Sequence, residues 1–439
     1  MSSKENGKTK IENIIVRVRE AASILNLEDW MVNKLTTCKM EWAGSIQFRK
    51  DDGQLVEVPA NRIWYRNPQN GLPYKGGQRF HPDADSATMK PHAMEMGFKN
   101  WLVGIPFGGS KGGLQEDPAK LSLNEQKNLM EAWVDAVNEL SILGPFRDVP
   151  APDVGSNETM MNWIRQRYAQ LRRSREDARF AGVVTGKPVG YGMGGIEGRR
   201  EATGYGMLAV LHHAMKSLGI QIDHPRIAVM GFGNVGSHAV ARATQFGDVV
   251  VAVSDVNGGV YNAKGLDVAR LFEYFATAKT VKGFPGGDAI SNDQIITLPD
   301  IDVFAPSAME HVLTAKNAGQ VNAKIILEGA NSPTLAEADK ILSNRGIIVL
   351  PDILANVGGV TVSYFEWARN VSHRDDDRIP LRGNRQDVLL AMENILTDTT
   401  DQVIANAKKY NVNLRMGALI TSIQRITPAF RAKYGAYAI

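Results

Sequence analysis

Residues 226–255, RIAVMGFGNVGSHAVARATQFGDVVVAVSD, restrict what this chain can fold into more than any other stretch. An apolar run, RIAVM, leads straight into Gly231, Gly233 and Gly236, which open a helical pattern. Glycines at this spacing permit a tight turn, close approach of backbone to a pyrophosphate, and close packing of helix on strand, with the anion at the helix N-terminus. Gly231, Gly233, Asn234, Val235 and Gly236 are therefore candidate cofactor-binding residues. The next apolar run, VVVAVS, ends at Asp255. A carboxylate about twenty residues past the glycines accepts from a ribose 2′-hydroxyl and repels a 2′-phosphate. Asp255 thus favours NAD over NADP, although Lys264 in the next loop softens that preference. The same glycine spacing recurs at Gly190, Gly192 and Gly195, but there it follows TGKP rather than a strand and opens no clear helix. That second match reads as a loop.

With 439 residues the chain is too long for one ordinary core. Downstream of residue 200, short apolar runs at DVFAPSA, AKIILEGAN and GIIVLPDIL alternate with helical stretches. Such alternation predicts a parallel, doubly wound sheet. The fold class expected is α/β: a mixed α/β substrate domain over 1–195, a Rossmann-type doubly wound dinucleotide-binding domain over 196–364, and a helical C-terminal segment over 365–439 packing back on the first. In the first third, the periodicity predicts an amphipathic helix over 11–35 and another over 122–143, capped by Ser122 and stopped at Gly144-Pro145. DVPAPDVGSN (148–157), with its breakers, reads as loop, and a helix starts near Asn157.

A formal net charge of +3 gives no reason to expect nucleic acid as a partner, and no apolar run is long enough for a bilayer. The polar start MSSKENGKTKIEN has no apolar core of a secretory signal, and one cysteine, Cys38, allows no intrachain disulfide. A cytoplasmic protein is expected. The NVS at 370–372 is then not a glycosylation acceptor.

The segment IPFGGSKGG sets Lys111 among four glycines. It is not a P-loop, because Gly112 stands where a magnesium-binding hydroxyl belongs, and no metal site is expected elsewhere. Lys75 in PYKGGQRF and Lys99 in MGFKNW lie in comparable settings, with Arg79 and Lys90 as alternatives that the sequence leaves open. With Asp153, which directly follows the prolines of PAP, these cations suggest a pocket for an anionic substrate facing the nicotinamide.

Taken in order, YKGGQRFHP, FKNWLVGIPFGGSKGG, DVPAPDVGSN, GVVTGKP, EATGYG, GFGNVG, LEGANSPT and ILANVGGVTVSYFEW make the chain, from about residue 60 to 370, resemble glutamate dehydrogenases of the amino-acid dehydrogenase family. The resemblance implies a substrate domain and a Rossmann domain with a cleft between them, assembled as a homohexamer. It implies that Lys75 and Ser363 bind the γ-carboxylate of glutamate or 2-oxoglutarate, and Lys99 the α-carboxylate. Lys111 would be the catalytic lysine and Asp153 the acid/base at the nitrogen. Thr203, Asn331 and Asn356 would surround nicotinamide and substrate. Neighbouring cations should lower the pKa of Lys111, whose neutral amine can act as a base, while the surrounding glycines make room for the substrate. Water then releases ammonium. Lys75 with Ser363 favours glutamate over an aliphatic or aromatic amino acid, and the presence of Lys111 and Asp153 argues against a non-catalytic paralogue. The stretch GKPVGYGMGGIEGRREATG is longer than the usual form, Tyr205 replaces a frequent arginine, the loop RNPQNGLPYK is shorter, and RMGALITSIQRI diverges. No long C-terminal insertion resembles the antenna of animal forms.

Overall fold

The structure, a computed structural model, describes residues 3–172 and 178–435. The chain divides into two compact units, one within Met1–Glu197, Val360–Ala391 and Leu419–Ile439, the other within Gly198–Gly359 and Met392–Ala418.

The first unit holds a five-stranded sheet of β1 (Met40–Arg49), β2 (Leu55–Trp64), β3 (Tyr74–Phe80), β4 (Gly108–Leu114) and β5 (Asp148–Pro152), in the order β1-β2-β4-β3-β5. One face packs on the helices Leu123–Glu139 and Glu158–Arg172 through Phe80, Leu114, Trp133 and Ile164. The helix Ser86–Leu102 lies on the other face, against β4. Contact there is close. A methyl group on Gly109 would overlap the carbonyl oxygen of Ala93 and the amide of Gly97, both in that helix. The glycines of GGSKGG therefore do not make room for substrate, as the sequence suggests. Methyls on Gly108, Gly109, Gly112 and Gly113 would all strike the protein itself. Gly109→Ala is expected to cost about 1–3 kcal/mol, because backbone on both sides must shift. A denaturant titration checks this, and an unchanged midpoint would show that the helix moves freely.

The second unit contains a seven-stranded sheet: β6 (Arg226–Met230), β7 (Val249–Asp255), β8 (Gly258–Tyr261), β9 (Asp288–Ile290), β10 (Val303–Pro306), β11 (Ile325–Leu327) and β12 (Ile348–Leu350). The strand order is β12-β11-β10-β6-β7-β8-β9, which places the direction switch between β6 and β10. Pairing among β6, β7, β10, β11 and β12 is parallel, as expected, but β8 and β9 run antiparallel at one edge. The sheet is therefore mixed. The cause is local: only Val256 and Asn257 separate β7 from β8, too few residues for a crossover.

Three local expectations change. The helix expected over 11–35 is two, Ser3–Ile24 and Asp29–Leu35. Asn26, at φ +49°, ends the first, with the amides of Leu27 and Asn26 bonded to the carbonyls of Ala22 and Ser23. The second expected helix stops at Glu139, because Ser141, at φ +53°, lets the Ile142 amide turn back to Val137. Its start is as expected, with Ser122 and Glu125 forming a reciprocal cap. DVPAP is a strand rather than a loop: β5 is an edge, so its prolines face no second neighbour that needs their missing N–H. Gly190 and Gly192 do lie in a loop, both at positive φ. No described helix is long and apolar enough to cross a membrane.

Candidate active site

Strand register assembles the cluster in the first unit. Lys75 pairs with Gly109 and Arg79 with Gly113, on either side of Lys111. Side chains alternate along a strand, so Lys75, Arg79 and Lys111 share one face of the sheet. It is the face on which helix Ser86–Leu102 packs, and Lys99 sits in that helix's last turn. Asp153 follows β5 directly. Its carboxylate accepts from Lys111 Nζ through Oδ2 and from Arg79 Nε through Oδ1 at 2.9 Å. Both cations are largely buried with it. Lys75 and Lys99 are only 2% and 6% exposed, far from the solvated state usual for lysine. Of the two alternatives, Arg79 belongs to the cluster, whereas Lys90 is half-exposed and pairs with Glu41 at 2.7 Å.

Electrostatics give the pair opposite biases. Burial alone would push the Asp153 carboxyl up, but Lys111 and Arg79 outweigh burial and hold it well below the usual carboxylate range. It is ionised at neutral pH. Burial also pushes Lys111 below the ordinary lysine value, and Arg79 and Lys99 add to this against the opposing pull of Asp153. The lowering is thus the expected one in direction, but its main cause is loss of water rather than neighbouring cations.

Ser363 is buried in the same unit, on helix Gly358–Val371. One turn further along, Glu366 accepts from Lys187 Nζ at 2.6 Å and from the Gly186 amide at 2.9 Å. The charged groups of this pair have no solvent exposure. Two more charged residues, Arg62 and Asp148, sit on the opposite face of the sheet. They form a buried bidentate pair at 2.6 and 2.7 Å, completed by Trp64 Nε1 and Ser110 Oγ. Sequence reasoning singled out neither pair. For Lys187 a signal existed, a lysine held in the turn sequence TGKP; for Arg62 there was none beyond an arginine inside an apolar strand.

In the second unit, Gly231 takes φ +105°, and Gly236 lies so close to the Gly231 carbonyl that no side chain fits. Gly233 caps helix Asn234–Phe246, and a side chain there would meet open space. The N–H groups of the first turn, at Asn234, Val235 and Gly236, are thus approachable, as a pyrophosphate requires. The Asn234 side chain itself is turned to the Arg200 carbonyl at 2.9 Å. At the end of β7, Asp255 accepts from the Asn257 amide (2.8 Å), the Thr280 hydroxyl (2.6 Å) and the Val281 amide (2.7 Å). A carboxylate offers about four acceptor positions, so one remains for a ribose hydroxyl. Asn356 Nδ2 donates to Asn331 Oδ1 at 3.1 Å and to the Gly329 carbonyl at 3.2 Å, which brings these two asparagines together. Thr203 Oγ1 lies against Gly359, three residues past Asn356. These residues fit a dinucleotide.

Comparison with known proteins gives consistent matches. The model of the Glu/Leu/Phe/Val dehydrogenase dimerisation domain matches residues 40–170, and that of glutamate/leucine/phenylalanine/valine dehydrogenase matches 194–433. The chain is 39% identical to the glutamate dehydrogenase of Thermotoga maritima, covering 98% of this chain and 99% of that one. It is 38% identical to the NAD-specific glutamate dehydrogenase of Peptoniphilus asaccharolyticus, with coverage of 89% and 90%. Against the NADP-specific glutamate dehydrogenase of a Synechocystis species the identity is 36%, with 95% of both chains covered. The crystal structure of the Peptoniphilus asaccharolyticus glutamate dehydrogenase superposes with a TM-score of 0.82 at 34% identity, covering 97% of this chain and 99% of that one.

Proposed function

Since the chain belongs to the glutamate/leucine/phenylalanine/valine dehydrogenase family and is an amino-acid dehydrogenase, we propose that it interconverts L-glutamate with 2-oxoglutarate and ammonium. The observation that carries this reading is the gathering of buried Lys75, Lys99 and Lys111 with Asp153 around one sheet face. A substrate with two carboxylates matches two of these ammonium groups, and leaves the third for chemistry. The first unit is read as the substrate-binding and oligomerisation domain and the second as the dinucleotide-binding domain.

In this reading Lys75 and Ser363 hold the γ-carboxylate and Lys99 the α-carboxylate. A nicotinamide cofactor, when bound, would supply the acceptor for the hydride on the substrate Cα. Asp153, ionised at rest, takes a proton from the substrate nitrogen, and the carbon becomes an iminium. Water adds to that carbon while the neutral Lys111 amine receives a proton from it. Asp153 then returns a proton to the nitrogen, which requires Lys111 to have swung from it towards the substrate; as the C–N bond breaks, the oxygen forms the carbonyl and its remaining proton leaves with the nitrogen as ammonium. Gly231–Gly236 would hold the cofactor pyrophosphate and Asp255 the ribose, so NAD is the expected cofactor, with NADP possible. A homohexamer in the cytoplasm completes the reading, and a solution mass measurement tests the assembly.

The test is initial-rate oxidation of NADH and of NADPH with ammonium and 2-oxoglutarate, with a branched-chain oxo acid as control. Turnover requiring both ammonium and 2-oxoglutarate supports the assignment, and a faster rate with the branched-chain acid overturns it. The pH profile adds a second check. Lys111 acts as the neutral amine, so glutamate oxidation is present above its pKa and lost as pH falls through it. Because that pKa is lowered, the fall lies below the ordinary lysine range near 10.4. Lys111→Arg, which cannot deprotonate, should abolish activity across the profile.

A further inference from the structure

Arg415 stands in the second unit at the start of helix Leu414–Tyr434, 87 residues beyond Glu328 in sequence. Its guanidinium grips Glu328 with both forks, Nη1 to Oε2 at 2.8 Å and Nη2 to Oε1 at 2.7 Å, and reaches Asp339 at 3.1 Å. Glu328 Oε2 also accepts from the Asp352 amide at 2.8 Å. The bidentate geometry fixes orientation as well as distance, so Arg415 sets where Glu328, and through it the start of helix Asp352–Ala355, can lie.

The other ends of this network lie at two asparagines. Asp352 Oδ2 accepts from the Ser332 amide at 2.9 Å, and Ser332 directly follows Asn331. Ser332 sits at φ +44°, a conformation that a serine keeps only when its surroundings hold it there. The Asp352 carbonyl accepts from the Asn356 amide at 3.1 Å, and the Asn356 side chain bonds Asn331. The backbone on which each asparagine rests is thus tied to the carboxylates that Arg415 holds.

We propose that Arg415 is a positioning residue for cofactor recognition: through Glu328 and Asp352 it holds Asn331 and Asn356 in register for the nicotinamide end of the dinucleotide. The inference rests on the reading that these asparagines meet the nicotinamide.

The experiment compares calorimetric dissociation constants for NADH and ADP-ribose, which shares everything but the nicotinamide, in the wild type, Arg415→Lys, Glu328→Gln and Asn356→Ala. Lysine keeps the charge but loses the fork; glutamine keeps the shape and breaks one arm, and serves if the lysine variant does not fold. Loss of a hydrogen-bonded contact at one end of a ligand corresponds to about a fivefold weakening. Arg415→Lys and Glu328→Gln should weaken NADH by about that factor and leave ADP-ribose unchanged, as Asn356→Ala should. Equal weakening of both ligands in these variants, or of neither, while Asn356→Ala stays selective for NADH, would overturn the positioning role. An Asn356→Ala protein that does not distinguish the ligands would overturn the underlying reading of the asparagine, and the inference with it.

Discussion

Replacing Asp153 by Asn should lower kcat for glutamate oxidation by about a thousandfold, within the range of about 10²–10⁴ that a positioned acid–base group supplies. The amide matches the carboxylate in size, and its oxygen can still accept from Arg79. Its NH₂ group, however, would face the Lys111 ammonium, donor against donor. Two functions fail together: the nitrogen loses its proton acceptor, and Lys111 loses the one partner that opposes the effect of burial on its pKa. Lys111 would then be neutral over a wider range of pH, so the acid limb of the residual activity should move further down. Steady-state rates with saturating cofactor, beside a melting curve to show that the protein is folded, measure both effects. A fall of less than tenfold would remove Asp153 from the chemistry.

The second large effect concerns substrate choice. Lys75→Leu should reduce kcat/KM for 2-oxoglutarate by about 10³-fold or more, since a buried carboxylate of the substrate would be left without its cation. The KM for NADH should stay within a factor of about two, because Lys75 belongs to the first unit and the dinucleotide residues to the second. A straight-chain monocarboxylic oxo acid should lose little or gain, as leucine offers its tail an apolar wall. The ratio of the two specificity constants is the decisive quantity. If both substrates fell equally, Lys75 would be serving the fold rather than the distal carboxylate.

What could be read from the sequence was local. The turn at Gly231–Gly236, the place of Asp255 at a strand end and the cap at Ser122 all depend on residues within a few positions of one another. The expectations that failed depended on distant partners or on less usual spellings. Asn26 and Ser141 end helices in a conformation more often given to glycine. DVPAP becomes a strand only because Tyr74–Gln78 lies beside it, some 74 residues away in the chain. The glycines around Lys111 look like a ligand cradle until the helix Ser86–Leu102 is set against them. In the candidate site, residue types and family resemblance singled out Lys111 and Asp153, but the capture of Asp153 by Arg79 follows from strand parity and needed the register of β3 to be seen. The charged residues that were missed, Arg62, Asp148, Lys187, Glu366, Glu328 and Arg415, are all paired across long separations.

The distance in sequence between Arg415 and the carboxylates it holds also bears on how the protein is made. Glu328 and Asp352 emerge from the ribosome well before the cation that neutralises them. At about 5–20 residues per second, the 87 residues between Glu328 and Arg415 take roughly 4–17 s to synthesise. From residue 352 onward in that interval, the nascent second unit has every strand of its sheet, but two carboxylates that can be buried only at a large cost. Completion of this unit therefore waits for Arg415, and a chain stalled before residue 415 should be caught by proteases that ignore the finished protein.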